Sequence, residues 1–185
     1  MNIKGKRVVL RAPIMADTPL LHQWANDPEL WASLVGWHFP YSAGSAENWV
    51  RNYDGRSIDS ISLCIEDEEL GLIGTASLKP INWKDRNAFY GIMLGDPNTR
   101  GRGLGKDAAM AIMRYAFDEL DLVRLDTEIV GSNKVSLEFH VQALGWKIEG
   151  VKKDWFYRDG KRHDKVIAGI TADDYRLGSS SYWKA

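Results

Sequence analysis

The feature that most constrains this chain is residues 87–107, NAFYGIMLGDPNTRGRGLGKD. An extended run enters a turn with glycine at alternate positions, Gly101, Gly103 and Gly105, and an amphipathic pattern begins at once with Leu104. A helix that starts this way presents backbone N–H groups without intrahelical partners and the positive end of its dipole. Missing side chains let phosphate oxygens approach those N–H groups. Arg100, Arg102 and Lys106 add charge-assisted contacts. The segment therefore predicts an anion cradle at a strand–helix junction. Two nucleotide patterns fail on it. In G-x-x-x-x-G-K-[ST], Arg100 stands at the first glycine and Asp107 follows Lys106 where Ser or Thr would bind magnesium. The pattern G-x-G-x-x-G fails on spacing. The plain alternative is a glycine-rich connection with a solvated basic edge.

The flanking pattern sets the fold class. Residues 7–11 read as a first strand, and Asp17 can cap a short helix carrying Leu20, Leu21 and Trp24. Asn26-Asp27-Pro28 breaks it, residues 34–45 look irregular, and residues 46–53 return to helix. Residues 60–66 and 70–78 form a hairpin around Asp67-Glu68-Glu69, and residues 88–95 add a strand. The amphipathic helix runs from Leu104 to Leu120, followed by a strand at 123–130 and a second helix at 134–143 that Gly145 ends. Residues 146–157 and 161–170 close as a hairpin on Asp159-Gly160, and residues 178–185 read as a loose tail. The expected fold is α+β: one domain over residues 1–185, with a mixed, mostly antiparallel sheet of about six or seven strands flanked by helices.

Composition narrows the function. Net charge is −1, so no global basic field draws nucleic acid. No stretch approaches the roughly 18–20 apolar residues of a membrane span, and the start of the chain carries no apolar signal core; the expected compartment is the cytoplasm. The single cysteine, Cys64, reads as a small core residue. His22 and His38 show no ligand spacing with other residues, and no metal is expected. Eight tryptophans exceed ordinary packing needs, and Trp31 and Trp37 are the candidates to line a pocket.

RGRGLG at residues 100–105 resembles the R/Q-x-x-G-x-G/A loop of GNAT-superfamily acetyltransferases. The likeness continues through residues 88–95 before the loop, residues 124–129, Asn133-Lys-Val-Ser, and Leu144-Gly145-Trp146 in place of an LGF signature. Residues 155–170 are similar to the C-terminal hairpin of the branch that holds ribosomal-protein-alanine and spermidine acetyltransferases. The resemblance implies acetyl transfer from acetyl-CoA to a primary amine by direct attack on the thioester. It places the pyrophosphate on Arg100, Gly101, Arg102, Gly103, Leu104, Gly105 and Lys106. The strands at 88–95 and 123–130 should splay apart, so that pantetheine pairs with Ile92, Met93 and Leu94, and Leu94 N–H polarises the carbonyl. Asn133 should bond the pantetheine arm.

The proton-handling residues depart from the family pattern. Phe89 stands where relatives carry a basic Glu, which leaves Glu128 as a substitute base or simply a solvent-facing carboxylate. His140 stands where relatives carry an acidic Tyr near the thiolate. It is equally a surface histidine, because the helix runs one residue longer than usual and Phe139 or Val141 could face the sulfur instead. The acceptor could be a protein α-amine, a polyamine, an amino sugar or another small amine, and Glu29, Glu47, Asp54 and Asp59 would suit a cation. The protein is expected to act as monomer or homodimer. The competing readings are a non-catalytic acyl-CoA-binding module and a nucleotide-binding protein.

Overall fold

A computed structural model describes residues 2–36, 39–53, 55 and 57–184. The expectations for Trp37, His38 and Asp54 lie outside the described residues. The strands are β1 (Ile3–Lys4), β2 (Val8–Arg11), β3 (Ile61–Asp67), β4 (Gly71–Asn82), β5 (Asn87–Leu94), β6 (Arg124–Val130), β7 (Lys147–Arg158) and β8 (Lys161–Thr171). They form one sheet in the order β1-β2-β3-β4-β5-β6-β8-β7, and every pairing is antiparallel except β5 with β6. The eighth strand, beyond the expected count, is the two-residue β1 at the edge. The helices are α1 (Thr18–Ala25), α2 (Pro28–Ser33), α3 (Ala43–Arg51), α4 (Leu104–Arg114), α5 (Lys134–Glu138) and α6 (Ala172–Lys184).

Strand alternation gives the sheet two apolar faces. On one, Leu10, Ile65, Leu78, Tyr90 and Leu125 pack under the α4 residues Leu104, Ala108 and Ile112. On the other, Cys64, Leu72 and Met93 pack under Trp24 of α1 and Leu30 of α2. Cys64 is fully buried there, and burial pushes its thiol up to about 12.

Three local readings are corrected. Asn26-Asp27-Pro28 ends one helix and starts another: Asp27 caps α2, taking Glu29 N–H at 2.8 Å, and Pro28 occupies the first turn, where its missing N–H costs nothing. Asp17 does not cap α1 with its side chain; its carboxylate binds the Arg11 guanidinium at 2.8 and 2.9 Å and the N–H of Ile14 at 2.8 Å. The tail expected to be loose is helical to Lys184. Gly178 and three serines are poor helix formers, yet Tyr175, Ser179, Tyr182 and Trp183 share one helical face. Tyr175 packs its ring on Phe117 at 5.1 Å, and Trp183 lies under the Arg114 guanidinium at 4.0 Å. Tertiary contacts decide where local propensity is weak.

Candidate active site

The parallel pair β5–β6 is registered only through Asn87↔Arg124, Ala88↔Leu125 and Phe89↔Asp126. Beyond that the strands part: β5 stays with β4 as far as Leu94, while β6 stays with β8 as far as Val130. Gly95 N–H donates to Ile73 O at 2.9 Å, which fixes the phase of the β4–β5 ladder. Backbone groups alternate in direction along a strand. The N–H and C=O of Ile92 and Leu94 therefore face away from β4 and into the opening, whereas those of Met93 belong to the ladder. An unpaired strand edge of this kind is a ready template for an extended chain.

The glycine turn closes one end of this opening. Asp96 takes Asn98 N–H at 2.8 Å and starts a tight turn over Pro97–Thr99. Gly101 and Gly103 follow at φ +73° and +79°, the left-handed region where a side chain is strained. Gly103 is the residue before α4, and its carbonyl accepts Asp107 N–H at 3.0 Å. The N–H groups of Leu104, Gly105 and Lys106 thus head the helix without intrahelical partners. Leu104 has its side chain in the core, so only its backbone serves the turn. A Cβ on Gly105 would stand 3.1 Å from Leu94 Cδ1 and 3.9 Å from Phe139 Cε2. Glycine at this position lets the helix start, the strand end and the Phe139 ring converge at the mouth of the opening.

Sequence reasoning missed Asp107. This buried carboxylate accepts the N–H groups of Lys6, Arg7 and Val8 at 2.8, 2.7 and 2.9 Å, and the Tyr182 hydroxyl at 2.6 Å. Burial alone would raise its pKa; the bonds from Tyr182 and the three amides outweigh burial and lower it. The clamp sets Lys6 and Arg7 beside the turn: Lys6 Nζ lies 4.7 Å from the Tyr182 ring and Lys106 Nζ 5.9 Å. Arg7 reaches the Arg102 carbonyl at 3.4 Å. Lys6, Arg7, Arg102 and Lys106 therefore gather beside the helix start, with Arg7 3.7 Å from Asp67 and Arg102 3.4 Å from Glu69. The signal in sequence was present only as a carboxylate in the first turns of a helix.

Residues 7–145 match the family model of the acetyltransferase (GNAT) domain. The chain belongs to that family. This GNAT protein is 23% identical to the SPbeta prophage-derived uncharacterized N-acetyltransferase YokL of Bacillus subtilis over 173 residues, 94% of each chain. It is 28% identical to the ribosomal protein uS5-alanine N-acetyltransferase of Escherichia coli over 116 residues, 61% of this chain and 58% of that one. Its fold superposes on spermidine N-acetyltransferase from Vibrio cholerae, solved with CoA and spermine, with a TM-score of 0.81 at 22% identity over 92% of this chain and 98% of that one. The protein is an acetyl-CoA-dependent N-acetyltransferase.

Within the GNAT site, His140 lies inside the core, not at the surface. The extra residue before Gly145 is absorbed by a widened turn over Phe139–Ala143, in which Leu144 N–H reaches Phe139 O five residues back. His140 is turned inward between Tyr90 and Trp146, with ring centroids at 5.9 and 5.3 Å, and Phe139 takes the mouth. Burial lowers the His140 pKa, partly opposed by its bond to Ser136 O at 2.8 Å. That carbonyl is an acceptor only, so the neutral ring carries its proton on Nδ1 and has none on Nε2. Nε2, Tyr90 Oη and Trp146 Nε1 are buried without hydrogen-bond partners. In this geometry the neutral ring has no proton on Nε2 to donate.

Glu128 projects from the opposite face, since Leu125 faces the α4 core and β6 alternates. It is half-buried and its Oε2 meets Lys165 Nζ at 2.6 Å. Lys165 is itself buried, 4.2 Å from the Trp155 ring centre. Asn133 caps α5, accepting Ser136 N–H at 3.0 Å, and donates to Ser33 O on α2 at 3.2 Å. Most of its side chain is therefore committed to the fold, with one amide hydrogen remaining for a ligand. Among the described residues no group of three or more His, Cys, Asp or Glu could hold a metal ion, and no helix is long and apolar enough to cross a membrane.

Proposed function

We propose that the protein transfers acetyl from acetyl-CoA to a primary amine on a small molecule or peptide, across the opening between β5 and β6, in the cytoplasm and as a monomer or homodimer. The observation that carries the reading is the pair of free backbone edges at Ile92 and Leu94, standing directly beside the glycine turn. The turn, from Arg100 to Lys106 with Lys6 and Arg7 beside it, would hold the pyrophosphate. Ile92 and Leu94 would pair with the pantetheine arm, and Met93 would pack beside it. Acetyl-CoA supplies the activated acyl group, and the amine attacks it without an acyl-enzyme.

Leu94 N–H would stabilise charge developing on the carbonyl oxygen. One such positioned donor contributes about 3–4 kcal/mol. Glu128, on the α1–α3 face of the sheet, would accept the amine proton, with Lys165 fixing the orientation of its carboxylate. A departing thiolate needs little help near neutral pH, since an ordinary thiol has a pKa of about 8.5. We therefore give His140 a structural role, supporting Phe139 and the widened turn. A screen of amines with acetyl-CoA and thiol-release detection tests the reading: release with a primary amine supports it. Tight CoA binding in calorimetry with no turnover on any amine would favour a non-catalytic acyl-CoA-binding module.

A further inference from the structure

A cavity of about 440 Å³ opens on the α1–α3 face. Its floor is Thr75 and Met93, which pair across β4 and β5, so it adjoins the residue next to Leu94. Trp24, Trp31, Phe39, Tyr41 and Trp49 line it, and Lys79 is the single charged lining side chain among the described residues. Trp24 is fixed against the end of β5: a Cβ on Gly95 would fall 2.0 Å from its indole. The volume is in the range of small-ligand sites, roughly 300–1,000 Å³.

We infer, on the acetyl-transfer reading above, that the acceptor is a primary amine on a flat apolar body bearing an anionic group at its far end. The aromatic walls fit a flat apolar body. They would also suit a cation by cation–π attraction, but Lys79 decides against a second positive charge. Glu29, Glu47 and Asp59, which would favour a polycation, do not line the cavity; Glu47 pairs with Arg51, and Asp59 takes the Ser57 hydroxyl. Lys79 stands four residues along β4 from Thr75, about 13 Å of strand. Its side chain is exposed, and its Nζ donates to Ser62 Oγ at 3.4 Å on β3, opposite Ser77, two residues nearer Thr75. The amine and the anion therefore sit at opposite ends of the body, with the amine by Met93 and the anion by Lys79.

Thiol release with acetyl-CoA and three matched amines tests this: 4-(aminomethyl)benzoate, benzylamine and spermidine. The expected kcat/KM for 4-(aminomethyl)benzoate is at least ten-fold above either of the others. Lys79→Glu should erase that preference and leave KM for acetyl-CoA unchanged; the residue is exposed, so the fold should be retained. Preference for spermidine or benzylamine, or an unchanged ratio in Lys79→Glu, would overturn the inference and leave acetyl transfer standing. Release with no amine in this set or in the wider screen would overturn both.

Discussion

Asp107 and Tyr182, 75 residues apart in sequence, meet in a 2.6 Å hydrogen bond. The bond ties α6 to the first turns of α4, and the same carboxylate holds the chain between β1 and β2 through three amides. Asp107→Asn puts an amide among four donors and leaves some without an acceptor. Each buried unsatisfied donor costs about 1–3 kcal/mol. We expect Asp107→Asn to lose about 3 kcal/mol in urea unfolding, and Tyr182→Phe about 1 kcal/mol. The Asp107 pKa is held below its ordinary 3.8, so its contribution is present in full above that pH and is lost as pH falls through the folded value. Acid unfolding of Asp107→Asn should lack this component.

Gly103 separates cofactor binding from folding. A valine there must adopt φ +79°, at a cost of about 1–3 kcal/mol, and nothing in the protein lies within 4 Å of its Cβ. The space it would fill is the cradle itself. Gly103→Val should stay folded by circular dichroism, and calorimetry should show CoA affinity reduced more than ten-fold. Equal affinity would remove the pyrophosphate from this turn.

Part of this arrangement is legible in the sequence. Gly101, Gly103 and Gly105 mark a turn whose backbone a phosphate can approach, and the left-handed φ of Gly101 and Gly103 is what the structure adds. Residue patterning marks β5 and β6 as strands, but their parting is implied only by the family resemblance. Other features depend on contacts between residues distant in sequence. Asp107 reads as one acidic residue in a helix until Lys6, Arg7, Val8 and Tyr182 are brought to it. Residues 178–185 read as loose because their propensity is poor, whereas Trp183 on Arg114 and Tyr182 on Asp107 hold the helix to Lys184. His140 could not be placed from spacing alone, since a single extra residue can be absorbed by a widened turn, and that rotation carries the ring from the site mouth to the core.

The buried His140 makes a pH prediction. Its folded pKa lies below the ordinary 6.5 because burial disfavours the charged ring. Below pH 6.5 the unfolded chain takes up a proton that the folded protein does not, so stability falls as pH drops from 6.5 toward the folded value and then levels off. Between pH 7 and pH 5, urea midpoints of the wild type should decline, and His140→Phe should flatten that decline while keeping its kcat profile. A changed kcat profile would return His140 to the chemistry.

Glu128 and Lys165 separate a catalytic role from a structural one. If the pair only holds β6 to β8, removing either partner lowers stability, and activity follows stability. If Glu128 accepts the amine proton, the two variants diverge. Glu128→Gln should lower kcat about 10²-fold and leave KM for acetyl-CoA unchanged, because the cradle lies on another part of the site. Lys165→Met keeps the carboxylate but loosens its orientation, so kcat should fall less than in Glu128→Gln, with the pH profile displaced by the loss of the neighbouring charge. Urea unfolding of both variants provides the control: Glu128→Gln leaves a buried ammonium without its carboxylate, so its stability should fall at least as far as that of Lys165→Met. Equal losses of kcat in the two variants would reduce the pair to a strut between strands.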